Sequence, residues 1–189
     1  MSDDNALLVT ANTIKATAEA IKAVADLLSS DRTVVLEVNN VSNATLRLGP
    51  TTHKHGGFSP PPDPSIPPRT TKVFGSQGSG VATGTEGSVT YDIDGVNRFT
   101  ISWDNPFFNP LGSNSCDDIV EGASRNRYVS FSISGNGNHA QMRFMIGSRP
   151  TPYSVRQIIG TDTGTDLTQG LRRLIPPNRA VSLRQFMNV

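Results

Sequence analysis

Apolar and polar positions along the chain follow two regimes. From Ala6 to Ser29 (ALLVTANTIKATAEAIKAVADLLS) the apolar side chains Leu7, Ala11, Ile14, Ala18, Ile21, Ala25 and Leu28 recur alternately four and three apart, with no Gly or Pro among them. That spacing predicts a helix with one continuous apolar face. At about 100° per residue, Lys15, Glu19, Lys22 and Asp26 share an arc of roughly 60°, a narrow charge-balanced stripe. Ala, Thr and Val, Val24 among them, fill the rest of the circumference. After Ser29-Ser30-Asp31 the period falls to two. Arg32–Asn39 (RTVVLEVN) reads as a strand, Thr45–Leu48 as its return and Arg69–Phe74 as another short strand. Val89, Tyr91 and Ile93 alternate with Thr90 and Asp92, Asp94-Gly95 supplies a hairpin turn, and Phe99, Ile101 and Trp103 alternate on the way back. Arg127–Ile133 and Ala140–Ile146 form a last pair around Gly135–Asn138. The connections Thr51–Pro68, with six prolines, and Asn105–Gly122 are expected to be loops.

Seven or eight short strands at this spacing predict a mainly β protein: an antiparallel β-sandwich with an N-terminal amphipathic α-helix. From Pro150 the character shifts to a basic extension of short α-helical and irregular segments, including a helix over Asp166–Leu174 that Pro176-Pro177 ends. The expected division is 1–30 for the helix, 31–149 for the sandwich and 150–189 for the extension. Charged residues make up 17% of 189 and the net charge is +1, so no global field favours nucleic acid as a partner. Cys116 is the single cysteine, which excludes an intrachain disulfide. The acidic start Ser2-Asp3-Asp4, with Lys15 and Lys22 inside the apolar run, does not make a signal peptide. No uncharged apolar stretch is long enough for a conventional transmembrane helix.

Candidate chemistry is sparse. His53-Lys54-His55 has metal-like spacing without the third and fourth ligands a site needs. Cys116 lies beside Asp117 and Asp118, anions that oppose a thiolate. The glycines from Gly78 to Gly87 lack the Lys-Ser/Thr of a phosphate loop and more simply give backbone freedom. Asn40-Val41-Ser42 and Asn43-Ala44-Thr45 are glycosylation sequons. The sequence therefore predicts neither an enzyme nor a cofactor. Trp103, Pro106, Phe107 and Phe108 cluster at a predicted strand end, where aromatic rings suit a lipid headgroup layer. With Trp103 in the core, only the loop phenylalanines would be free.

In its order of elements the chain resembles the actinoporin-type pore-forming cytolysins. The amphipathic helix is followed by RTVVLEVNN, by Ile66-Pro67 before a strand, by the glycine entrance GSGVATGTEG and by SGNGNHAQMRFMI, over roughly residues 6–148. Ser102 and Pro106 lie where that family begins its lipid-binding loop. The family's tyrosine-rich headgroup loop and its Arg-Gly-Asp segment are absent. A weaker similarity, over Val81–Ser115, is to the aegerolysins. The resemblance implies a soluble protein, secreted or released, that docks on a target membrane through a rim of Ser102, Trp103, Pro106, Phe107 and Phe108. It also implies a homo-oligomer whose helices insert, with Leu7, Ile14, Ile21, Val24 and Leu28 toward lipid and Lys15, Glu19, Lys22 and Asp26 lining a pore. Helix packing on the sandwich, a glycan- or headgroup-binding module of lectin type, and an assembly protein using helix and tail as contacts are the alternatives.

Overall fold

The computed structural model describes residues 3–108 and 114–149, with side chains from residue 15 onward. Ten strands follow the helix α1 (Asp3–Leu27): β1 (Thr33–Asn40), β2 (Leu46–His55), β3 (Gly57–Phe58), β4 (Ser65–Ile66), β5 (Thr70–Gln77), β6 (Thr85–Asp92), β7 (Asn97–Asn105), β8 (Ser115–Gly122), β9 (Tyr128–Ile133) and β10 (His139–Ser148). They form two sheets of five, ordered β3-β5-β1-β10-β9 and β4-β2-β6-β7-β8, which pack face to face as the expected sandwich. All pairings are antiparallel except β1 with β10, where Thr33 to Asn40 run alongside His139 to Ile146. The predicted helix Asp166–Leu174 and the side chains of Leu7 and Ile14 lie outside the described residues.

Alternation places the core. Val34, Leu36 and Val38 of β1 and Ala140, Met142, Phe144 and Ile146 of β10 face Val89 and Tyr91 of β6 and Phe99, Ile101 and Trp103 of β7. Between them the turn at Asp94-Gly95 forms as predicted, with Gly95 at φ +79°, a conformation that favours glycine. Two expected loops contain strand. Thr51 to His55 extends β2, and Ser115–Gly122 is β8, the sheet's edge, whose acidic sequence hides its alternation. In β9 the alternation is inverted. Tyr128, Ser130 and Ser132 pair with Ser148, Ile146 and Phe144 on the inner face, while Phe131 and Ile133 stand outside, 42% and 43% exposed.

The helix packs on β5 and β1. Val24 is buried, Thr17, Ile21 and Leu28 are half-buried, and Ala18 and Ala25 are exposed. The inward face is therefore rotated from the predicted Ala18–Ile21–Ala25–Leu28 line toward Thr17 and Val24. That rotation carries the charged stripe to the far side, where Lys22 pairs with Asp26 at 2.6 Å and Lys15 with Glu19 at 3.9 Å. Gly75 allows the contact: a Cβ there would stand 3.0 Å from Leu28 Cδ2 and 2.1 Å from the Ser59 carbonyl oxygen. Beyond the helix, the Ser29 and Ser30 amides both donate to Gln77 Oε1, at 2.9 and 3.2 Å. Val24 is the one buried hydrophobic side chain that the described part of α1 contributes, with Thr17, Ile21 and Leu28 half-buried beside it and this short polar root at its end.

Candidate functional site

The two most exposed large apolar side chains among the described residues stand on neighbouring loops at one end of the sandwich. Val81 is 99% exposed and Phe108 84%. Val81 belongs to the segment Gly78–Gly84, which lies against Asn105–Phe107. A Cβ on Gly84 would meet the Asn105 carbonyl oxygen at 2.6 Å and Pro106 Cα at 2.8 Å, so only glycine permits this approach. Thr83 closes the turn, its hydroxyl accepting from the Gly80 amide at 2.9 Å and donating to the Gly80 carbonyl at 2.8 Å. Asn105 anchors the base of the second loop, donating to the carbonyls of Thr33 at 3.0 Å and Asn138 at 2.9 Å.

Arg32 fixes that second loop from the opposite sheet. Its Nε donates to the Pro106 carbonyl at 3.0 Å, a terminal nitrogen donates to the Phe107 carbonyl at 2.7 Å, and the guanidinium lies 5.1 Å from the Phe107 ring centroid. Phe107 is thereby half-covered, and Phe108, the next residue, is left in solvent. Two large apolar groups are thus held in water by polar contacts that orient their loops.

Of the five residues expected at this rim, Pro106, Phe107 and Phe108 are there. Trp103 is a correction: it is 2% exposed and belongs to the core. Its register opposite Gly87 turns it inward, and a Cβ on Gly87 would come within 2.8 Å of its ring. Its indole N–H donates to Thr85 Oγ1 at 3.3 Å, and Phe58, Phe74 and His53 pack around it at centroid distances of 5.9, 6.3 and 5.5 Å. Ser102, one position away, faces the opposite side of the sheet and lines a shallow groove. Val81 is not among the residues expected at the rim. Its signal is an apolar side chain in a Gly-Ser loop, where no pleat offers it an interior.

The groove lies on the outer face of the β2-β6-β7-β8 sheet and has a volume of about 500 Å³. Thr52, Lys54, Glu86, Ser88, Ser102, Asp104 and Asp117 contribute to its lining. Burial raises the Asp104 pKa, with neighbouring Glu86 adding to the effect. Burial also pushes the Cys116 thiol up, ahead of the smaller contributions of Asp118 and Asp117. The paired histidines separate at a bulge in β2: His53 is half-buried with Nε2 3.0 Å from Ser76 Oγ, and His55 is exposed. Among the described residues no group of three or more His, Cys, Asp or Glu is arranged to hold a metal ion. Of the two sequons, Asn40 is fully buried, its amide donating to the carbonyls of Ala44, Ile66 and Pro67 at 2.8, 3.0 and 3.0 Å. It is structural in the folded chain.

His53 gives the fold a pH dependence. Burial lowers its pKa below the ordinary 6.5. A base whose folded pKa is depressed adds stability that is full above the unfolded value and is lost as pH falls through the folded one. The melting temperature is expected to fall from pH 7 to pH 5, and His53→Gln is expected to shrink that fall. An undiminished fall in the variant would assign it to other groups.

The fold and this rim define a β-sandwich with a docked N-terminal helix and one apolar loop end. No protein-family model and no curated protein matches the chain. Among solved structures it is similar to the lipid-binding protein Nakanori, with 16% identity and a TM-score of 0.61 over 72% of this chain and 80% of that one. It is also similar to RahU, solved in complex with Tris, with 18% identity and a TM-score of 0.54 over 65% of this chain and 99% of that one. At these identities the likeness establishes the β-sandwich fold, and the actinoporin resemblance stays one of sequence motifs.

Proposed function

We propose that the chain is a membrane-binding protein that docks on lipid through the end bearing Val81 and Phe108. The observation that carries this is the pairing of the two most exposed large apolar side chains on adjacent loops, each fixed by polar contacts. Transferring such groups from water to the headgroup–acyl boundary is favourable by about 1.5–3 kcal/mol for each fully buried side chain. The Nakanori likeness supports the reading through the shared fold.

The same reading extends to α1. Its 25 residues reach about 38 Å, against a hydrocarbon core of about 30 Å. Among the described residues no helix is both long and apolar enough to cross a membrane by itself. In a ring of copies the paired charges Lys15–Glu19 and Lys22–Asp26 would face water while Ile21, Val24 and Leu28 leave the sheet for lipid. The limited burial of α1 supports this, because the described contact comprises one buried valine, the half-buried Thr17, Ile21 and Leu28, and a short polar root. Full-length protein is expected to release dye from phosphatidylcholine vesicles, and a chain shortened to begin at Ser30 to bind them without release. Release that survives the shortening sinks the insertion mechanism.

The outer-sheet groove supports a second reading, recognition of a glycan by hydroxyl and carboxylate side chains. Binding to a glycan array with no vesicle binding would favour it over docking through the rim.

A further inference from the structure

The root of α1 and the apolar rim are the same piece of structure. Within Ser29–Arg32, the Ser29 and Ser30 amides bond to Gln77 Oε1, and the Arg32 carbonyl accepts from the Gly78 amide at 2.9 Å, where the Val81 loop begins. A Cβ on Gly78 would lie 2.9 Å from Ser30 Oγ, so the helix exit rests directly on that loop. The Arg32 side chain reaches the other loop through the Pro106 and Phe107 carbonyls. Four residues thus tie the last turn of α1 to both loops that carry the exposed apolar groups.

The guanidinium has donors to spare. A third, longer contact runs from Arg32 to the Asp31 carbonyl at 3.4 Å, which leaves two of its five N–H groups for a further acceptor. None of the ion pairs among the described residues involves Arg32, so its charge is met by neutral carbonyls and an aromatic ring alone. A phosphate oxygen is a stronger acceptor for a guanidinium than a backbone carbonyl and takes it in a bidentate fork. With Phe108 in the acyl boundary, Arg32 would stand at headgroup depth.

We propose that Arg32 is a headgroup-responsive latch: a lipid phosphate draws the guanidinium away from the Pro106 and Phe107 carbonyls, and the root of α1 loosens. The latch rests on the reading that this end docks on lipid. The occupant is the phosphate of a membrane lipid, which reaches the site only after the rim has docked.

Amide hydrogen exchange on the full chain tests it, following residues 17–30 with β6 and β7 as internal reference. Phosphatidylcholine vesicles are expected to speed exchange of the helix and root by about tenfold while β6 and β7 stay protected. Vesicles of a phosphate-free glycosyl diacylglycerol are expected to bind through Val81 and Phe108 yet leave helix exchange at its value in water. Inorganic phosphate is likewise expected to leave it unchanged, and acceleration by that ion alone would overturn the lipid source. Arg32→Gln should speed helix and root exchange in water without vesicles, again sparing β6 and β7, and make it insensitive to the vesicle type. Arg32→Lys, which keeps charge without the fork, should fall between. Helix exchange in Arg32→Gln equal to the wild type overturns the latch whether or not vesicles bind. Failure of wild-type protein to bind any vesicle, with Arg32→Gln still loosening the helix, would overturn both the docking reading and the headgroup trigger.

Discussion

Replacing Val81 and Phe108 together by serine is expected to weaken binding to phosphatidylcholine vesicles by about 30- to 1,000-fold. The estimate takes about two-thirds burial of two large apolar side chains, about 2–4 kcal/mol in sum, at about 1.4 kcal/mol per factor of ten. Each single substitution should give about the square root of the combined effect, because the two loops present their side chains independently to one surface. Both side chains face water in the free protein, so the melting temperature should hold. Val96, 58% exposed on the hairpin at the other end, is the control: Val96→Ser removes a comparable apolar group and should leave vesicle binding intact. Co-sedimentation across a lipid titration measures all four variants. Equal loss from Val96→Ser and the rim substitutions would mean that the contact is not confined to this end.

The second large effect concerns a residue expected at the rim. Trp103→Ala should cost about 3–5 kcal/mol of folding stability, the range for emptying a large aromatic site in a packed core. Against a total of about 5–15 kcal/mol this is a substantial fraction, and urea unfolding should show it as a fall in midpoint. Phe58, Phe74 and His53 would line the vacated space, and Thr85 Oγ1 would lose the indole donor. Under conditions where the variant is folded, its vesicle binding should equal the wild type. The opposite pattern, intact stability with lost binding, would return Trp103 to the membrane surface.

These two residues mark how far the sequence was legible. Val89–Trp103 could be read because both strands bury one face against a full core, so pattern and packing coincide. The same alternation that identified the strand also carries Trp103 inward with Phe99 and Ile101; grouping it with Phe107 and Phe108 followed nearness in sequence instead of the pleat. Strand β8 was hidden because an edge needs little apolar content: Asp117 and Asp118 sit in it at no great cost. In β9 the pattern was visible but its inner face was not, since serines opposite Phe144 and Ile146 occupy the side that hydrophobicity assigns to solvent. The helix could be found by period, yet alanine, small enough to tolerate either side, left its facing ambiguous by the angle between Ala25 and Val24. Arg32 carried no local signal, because its partners lie 74 and 75 residues away.

Where the helix leaves the sandwich also sets the geometry of any large movement. A rod pivoting at its tip delivers its whole length to the plane that holds the pivot, whereas one hinged in mid-body or at the distal end would require the sandwich to tip or a tether to span the gap. With Ser29–Arg32 bonded to both the Val81 and Phe108 loops, α1 in the proposed docking would swing down onto the surface those loops touch, and the sandwich would stay as an upright post. On the proposed insertion, the reach of the protein into a bilayer would then be fixed by the length of the rod alone.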